Sequence, residues 1–367
     1  MKRRDFVTTA GFFTFLNLLP LSRLFAKTLL LNDETQIWEE LIAYARWSPS
    51  PHNVQPWRMK IISGREAHLY YDPSRLLPVV DPTSGFIILG MSMFIESLSI
   101  AANPAGYKIV AEHSSEKQLD FASTDLKLFA KLYRIETGVK DPTDRELIRK
   151  RKTSRLHYDN RVIGQGLVNS FSSLADSYGY NFTCSFDKEL IADVIELNSK
   201  AILHGSEDVE ARNELSRWIR TSDEEAAAKK DGLWYRCMQV KAKLMENFFY
   251  HHERFQSKWK RKLLTHSLTN SVKGTSNIAW ISGPFENRAD WINAGVMLQR
   301  LWLEMTKFNV YLHPFGAIIN ETYALDDLKN SIQYSVNEGT LWFLIRLGYC
   351  DEPPASFRLE VKDILIS

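Results

Sequence analysis

The chain has 367 residues, 44% hydrophobic and 12% aromatic, enough to bury a sizeable core in one large or two ordinary domains. Its formal net charge is only +2, and Lys2, Arg3, Arg4, Arg23 and Lys27 against Asp5 supply more than all of it, so the rest of the chain is slightly acidic. That balance argues against a dedicated nucleic-acid binder. Three distant cysteines, Cys184, Cys237 and Cys350, form no CxxC pair, so free thiols are expected rather than a disulfide framework or a metal site.

Lys2-Arg3-Arg4-Asp5-Phe6-Val7 leads into an uncharged segment ending at Ser22, too short for a comfortable membrane span. The arginine pair followed by x-Phe resembles the bacterial twin-arginine export signal. Residues 1–27 are thus expected to engage the twin-arginine export machinery and send an already folded protein to the periplasm. Ala26 suits a cleavage site and Leu24 does not, which leaves both cleavage and an uncleaved N-terminal anchor open. No stable membrane span is expected beyond this signal.

After Asn32 or Asp33 as a cap, Ile37, Leu41, Tyr44 and Ala45 recur at helical spacing. Ser48-Pro49-Ser50-Pro51-His52-Asn53-Val54-Gln55-Pro56-Trp57-Arg58 ends that helix, because its prolines forbid continuation. The stretch reads either as a capped connection or as a stiff loop that holds the polar edge of a ligand. Trp57 to Ile62 and Ala67 to Tyr71 read as strands around a Ser63-Gly64 turn. Phe86 to Ala102 is almost wholly apolar, with Glu96 its one acid, and reads as a central core helix. A strand from Tyr107 to Ala111 follows. Residues 112–150 are polar except for an amphipathic stretch near Leu126 to Leu132, and cations crowd Arg145 to Arg155. Residues 165–178 and 188–202 read as helices around a strand at Asn181 to Phe186, and Glu210 to Arg220 as another helix. From Asp223 to about Leu264 the chain reads as a helical, aromatic-rich insertion able to lie over a cleft. It ends in Lys258, Lys260, Arg261 and Lys262, which read either as an exposed helix end or as a contact for anionic lipid. His251 and His252 are adjacent and make a poor pair of metal ligands. Ile278 to Ser282 reads as a strand and Asp290 to Met305 as a long apolar helix. His313-Pro314-Phe315-Gly316 reads as a tight connection. Thr340 to Leu347 reads as a strand that is apolar except for Thr340 and Arg346.

Two segments look alike. Ile87-Ile88-Leu89-Gly90 leads through an apolar helix to Gly106-Tyr107, and Ile292-Asn293-Ala294-Gly295 leads through another to Asn309-Val310-Tyr311. Pro49-Ser50-x-His52-Asn53-x-Gln55-Pro56-Trp57 resembles the flavin-contact motif of the nitroreductase family. Arg151-Lys152-Thr153-Ser154-Arg155 resembles its phosphate motif. Ile345-Arg346-Leu347-Gly348-Tyr349, followed by Arg358, resembles its C-terminal strand and phosphate-binding basic residue. Asp290-Trp291 through Gly295 resembles the start of its central helix. Taken in order from about residue 34 to 360, the motifs resemble the long, internally duplicated, Acg-like type of that family.

The resemblance implies an α+β fold, a nitroreductase-like three-layer α/β/α arrangement of two fused pseudo-symmetric halves. The halves would be residues 32–138 and 139–367, with about 221–275 as a helical lid. It implies FMN as cofactor, with Pro49, Ser50, His52 and Asn53 at its ring and ribityl groups. Arg151, Thr153, Arg155 and Arg358 would hold its phosphate, while Pro314 and Gly316 would supply backbone contacts. Ordinary members resemble half-length chains that dimerise around their flavins. Here neither motif has a second copy, so one FMN per chain is expected, held by both halves of a chain able to act as a monomer. No catalytic acid or nucleophile is expected, because the chemistry belongs to the cofactor. The implied activity is reduction of small electron-poor nitro or quinone compounds, with NAD(P)H as a donor although no nicotinamide fingerprint is present. A lid and export together imply an alternative, an exported FMN-binding or sequestering protein with little turnover.

Overall fold

A computed structural model describes residues 35–116 and 118–366. The expected export signal and the Asn32 or Asp33 cap lie outside these residues. The first described element is a helix, α1 (35–45). Then come β1 (Trp57–Ser63), β2 (Glu66–Tyr71), α2 (Gly85–Ala102), β3 (Tyr107–His113) and β4 (Lys127–Glu136). These strands form one antiparallel sheet in the order β1-β2-β4-β3. Burial alternates along β2, so Ala67, Leu69 and Tyr71 face inward with α2 residues such as Met91 and Phe94.

The chain continues through α3 (Glu146–Lys150), α4 (Gln165–Asp176), β5 (Asn181–Ser185), α5 (Lys188–Gly205), α6 (Val209–Ser216) and β6 (Ile219–Arg220). Next are α7 (Asp223–Lys229), β7 (Leu233–Trp234), α8 (Tyr235–Met238), α9 (Ala242–Tyr250) and α10 (Lys258–Ser271). The last elements are β8 (Asn277–Gly283), α11 (Arg288–Lys307), β9 (Tyr311–Pro314), α12 (Gly316–Asn320), α13 (Thr322–Ser331), β10 (Thr340–Gly348) and α14 (Val361–Ile364). The second sheet runs β5-β8-β10-β9, again antiparallel throughout. Each sheet therefore orders its own strands first, second, fourth, third, and each has a long helix, α2 or α11, between its second and third strands.

Helices α2 and α11 pack against each other between the sheets. Gly295 permits the close approach: a Cβ there would lie 2.5 Å from the Leu89 carbonyl oxygen and 2.7 Å from Ser92 Cβ. Polar groups trapped in the contact are paired. Ser92 Oγ donates to the Ile292 carbonyl at 2.7 Å, and Gln299 Nε2 to Ser97 Oγ at 2.9 Å. The α2 segment is apolar enough to cross a membrane by composition, but 83% of it is buried in the protein, as a core helix requires.

Helices cover both faces of the second sheet. Ala279 and Ile281 of β8 face α11 and α4, while Ile278 and Trp280 face α5, α12 and α13. Local structure departs from the sequence expectations in four places. The amphipathic stretch near Leu126 is strand β4. The helix expected to reach Arg220 stops at Ser216, and Ile219–Arg220 pairs in parallel with Leu233–Trp234. The helical segment expected from Asp223 to about Leu264 is divided into α7, α8, α9 and α10 with the short strand β7 among them, and the basic cluster forms the start of α10. The His313 connection ends the edge strand β9. The C-terminal tail also returns to the first sheet, where Leu365 bridges Met59 and Ile366 N donates to the Met59 carbonyl at 2.8 Å.

Candidate functional site

The loop after α1 lies over Gly90 of α2, where a Cβ would meet Pro51 Cδ and Ser50 Cα at 3.4 Å. Its backbone is strained: His52, Asn53 and Gln55 all hold left-handed φ values of 47°, 58° and 50° with no glycine among them. Ser50 fixes the turn by accepting from Gln55 N at 3.0 Å, and its carbonyl accepts from Asn53 N at 3.0 Å. Distant chain holds the rest. Asn53 Nδ2 donates to the carbonyls of Gly232 and Phe357, both at 3.1 Å. Gln55, fully buried, donates to the Lys230 carbonyl at 2.9 Å and accepts from Leu359 N at 2.8 Å. The amino group of Asn53 is thus committed to the protein, and its Oδ1 is buried without a partner.

Chain leaving α3 becomes extended at Arg151, and Thr153 forms a parallel bridge with Leu312 of β9. Arg151 is 4% exposed, with its guanidinium 4.4 Å from the Trp302 ring and Nη2 donating to the Trp47 carbonyl at 3.1 Å. Its Nε and Nη1 are buried without partners, as is Nε of Arg358. Arg358 stacks toward the Trp47 ring at 5.9 Å. Arg155 Nη1 reaches the Cys237 carbonyl at 3.5 Å. Arg346, fully buried, donates from Nε to His313 Nδ1 at 3.1 Å and from Nη2 to the Leu156 carbonyl at 2.9 Å, over the Tyr158 ring. Because His313 Nδ1 accepts, its proton sits on Nε2.

Electrostatics make these groups one cluster. Burial, then the neighbouring Arg358 charge, pushes Arg151 down to about 9. Arg155 is pushed down to about 10 by burial, with Arg346 adding to the fall, and Arg358 to about 10 by burial, with Arg46 adding. His52 falls to about 4 through burial and Arg155, and His313 falls well below its ordinary value through burial, Arg155 and Arg346. The four arginines stay cationic at neutral pH. No carboxylate acts on any of them among the described residues. Burying cations together without acids costs stability, and an incoming anion relieves the cost.

Residues 218–239 pack against the loop, Arg155 and the C-terminal tail. Asp231 is held by Arg220 at 2.5 Å and Arg75 at 2.9 Å, and Gly232 N donates to the Asn53 carbonyl at 3.2 Å. Lys230 reaches Glu360 at 2.6 Å, and the Trp234 ring lies 5.0 Å from that of Phe357. Two surface clefts, one at Gly106 and Thr137 and one at Arg212 and Phe249, contain none of the expected site residues.

The structure thus brings together Pro49, Ser50, His52, Asn53, Arg151, Thr153, Arg155 and Arg358. Pro314 is adjacent, pairing with Ile345 in β10. Gly316 is exposed, and no described contact ties it to the arginines. The sequence reading missed Arg346 and His313 as part of the cluster; a lone cation in an apolar strand was the available signal. Trp47 and Trp302, which carry the guanidinium groups, gave none. The cysteines are free, and no metal-ligand cluster occurs among the described residues.

The probable NAD(P)H nitroreductase PigM of Serratia sp. (strain ATCC 39006) is 22% identical over 335 residues, which cover 87% of this chain and 90% of that protein. At 22% identity the match is a distant likeness that spans most of both chains. No family model matches the chain. Among solved structures, the FMN-dependent nitroreductase NfnB from Mycobacterium smegmatis in complex with NADPH is 15% identical, covering 57% of this chain and 93% of that one at a TM-score of 0.32. A nitroreductase with bound FMN from Bacteroides fragilis is 12% identical, covering 58% and 91% at a TM-score of 0.34. At such scores the fold of this chain rests on its own strands and helices.

Proposed function

We propose that the chain is an FMN-dependent oxidoreductase that reduces small electron-poor nitro or quinone compounds with NAD(P)H as donor. The carrying observation is the buried arginine cluster without a carboxylate. Its orphaned atoms fit the cofactor. Arg151 Nε and Nη1 and Arg358 Nε are donors suited to a phosphate, and the arginine fork matches that geometry. Arg155, Thr153 and the His313 Nε2 proton add donors, and Asn53 Oδ1 offers an acceptor to a ring N–H. When bound, FMN supplies two-electron transfer. The protein's part is to bind and orient it: Trp47 and Trp302 fix the guanidinium groups, the strained loop holds its polar atoms in place, and residues 218–239 exclude water.

We read the two sheets of identical strand order as fused halves that build one FMN site, which a monomer can supply. The corresponding loop of the second half, after α4, favours this stoichiometry. There Tyr178 sits beside Arg300, whose charge is already met by Glu96 at 2.5 Å and Asp141 at 2.8 Å. Twin-arginine export to the periplasm belongs to the same reading, since that route carries a protein folded around its cofactor. The pins on residues 230–232 favour a second reading, an FMN-sequestering protein whose lid stays shut.

The test is to purify the chain from the cytoplasm, add NADPH, NADH or dithionite, and then add nitroaromatics or quinones. Bleaching by a nicotinamide and re-oxidation by acceptor are expected. Bleaching by dithionite alone would favour sequestration, and absence of bound flavin would sink both readings.

A further inference from the structure

We propose that the outer face of α10 docks the protein on an anionic lipid surface. The helix opens Lys258-Trp259-Lys260-Arg261-Lys262-Leu263. Trp259 is 61% exposed and Leu263 59%, and their spacing of four residues puts them side by side on one face. Among the described residues, Trp259 is the only tryptophan in the set of exposed large hydrophobic side chains. The opposite face is anchored: Leu264 is buried, and Thr269 Oγ1 meets Ser199 Oγ of α5 at 3.3 Å. The apolar pair is therefore held outward by the fold.

The charges around it are unbalanced in the same sense. Lys258 and Lys262 are exposed, and the Lys260 ammonium lies 5.6 Å from the Trp259 ring. None of these three lysines forms an ion pair among the described residues, whereas Arg261 pairs with Glu207. Lysines flanking an outward Trp-Leu pair complement a lipid interface of negative headgroups: the ammonium groups meet phosphates while the ring and the leucine enter the acyl boundary. A soluble polyanion would satisfy the lysines and leave the apolar pair in water, so the lipid surface fits both halves of the patch.

The test is co-sedimentation of the full-length protein with vesicles of equal phosphatidylglycerol and phosphatidylcholine, and with phosphatidylcholine alone. The N-terminal apolar segment is common to all variants, so differences among them report on α10. Binding is expected to the anionic vesicles and to fall with salt. Lys258→Gln, Lys260→Gln and Lys262→Gln together should weaken it on the order of 100-fold. Trp259→Ser with Leu263→Ser should weaken it by roughly tenfold. Unchanged near-ultraviolet circular dichroism keeps the comparison on folded protein. Equal binding to neutral vesicles, or wild-type binding by both variants, would overturn the proposal. So would lysine-dependent retention by duplex DNA without vesicle binding.

Discussion

Arg151→Met should stabilise the protein without ligand and weaken it with ligand. Arg151 keeps two guanidinium nitrogens buried without partners and is pushed well below its ordinary value, down to about 9, by burial and Arg358. At 1.36 kcal/mol per pKa unit, that depression is an unfavourable term of about 5 kcal/mol for the folded cation. The sign follows from the direction: a base with a lowered folded pKa has its charged form disfavoured by folding, and at neutral pH Arg151 is charged in both states. Methionine removes this term and loses the bond to the Trp47 carbonyl and the contact with Trp302, together about 2–3 kcal/mol. The net gain is about 2–3 kcal/mol, or roughly 3–4 °C in Tm for a chain of this length. With saturating FMN the order should reverse. Each charged hydrogen bond to a phosphate contributes about 1.5–3 kcal/mol, so losing both orphaned donors removes about 3–6 kcal/mol, outweighs the ligand-free gain, and should weaken FMN binding by roughly 150-fold or more. Differential scanning fluorimetry across an FMN titration reads both effects, and the two Tm curves should cross. A variant less stable without ligand, with unchanged FMN affinity, would refute the argument from unpaired charge.

Gly295→Ala should destabilise the protein by about 2–4 kcal/mol, because the new Cβ meets the Leu89 carbonyl backbone, and urea unfolding would measure it. Asp231→Asn should loosen residues 218–239 by removing the carboxylate that Arg220 and Arg75 share, at a local cost of about 1–3 kcal/mol, since Glu225 and Asp72 remain at 3.8 and 3.5 Å. Faster hydrogen exchange there and faster flavin release are the expected readouts; unchanged release would detach this segment from the site. The ligand-free protein should lose stability as pH falls from about 6.5 to 4, by about 1.4 kcal/mol per unit for His52. The unfolded chain takes up that proton near 6.5 while the folded residue waits until about 4. His313 acts in the same direction, and His52→Gln should flatten the slope of urea midpoint against pH. Flavin absorbance against protein concentration should give one FMN per chain, and a value of two would remove the argument from Arg300.

What the sequence could show depended on the range of the interaction. Helix α2 was legible because a residue run apolar on every side has nowhere to go but the core. Strand β10 was legible for the same reason, since the second sheet is covered on both faces. Strand β4 was not, because its outer residues are polar and its strand pairing is settled by β2 and β3. The loop at His52 was legible as polar and proline-stiffened, but its polar atoms find partners far along the chain, at Gly232 and Phe357, which no local pattern predicts. The arginine motif shows the limit most clearly. Along the chain, Asp144 and Glu146 lie close to Arg151. The fold takes those acids away. Glu146 Oε1 accepts from Tyr44 at 2.5 Å and Asp144 caps Glu146 N at 2.9 Å, while the chain turns extended at Arg151 and carries it against Trp302. Four cations then share a buried region with two neutral histidines and no carboxylate. Which arginines lack a counter-charge is a property of three-dimensional pairing alone, and it is that lack, rather than the presence of arginine, that points to an anionic ligand.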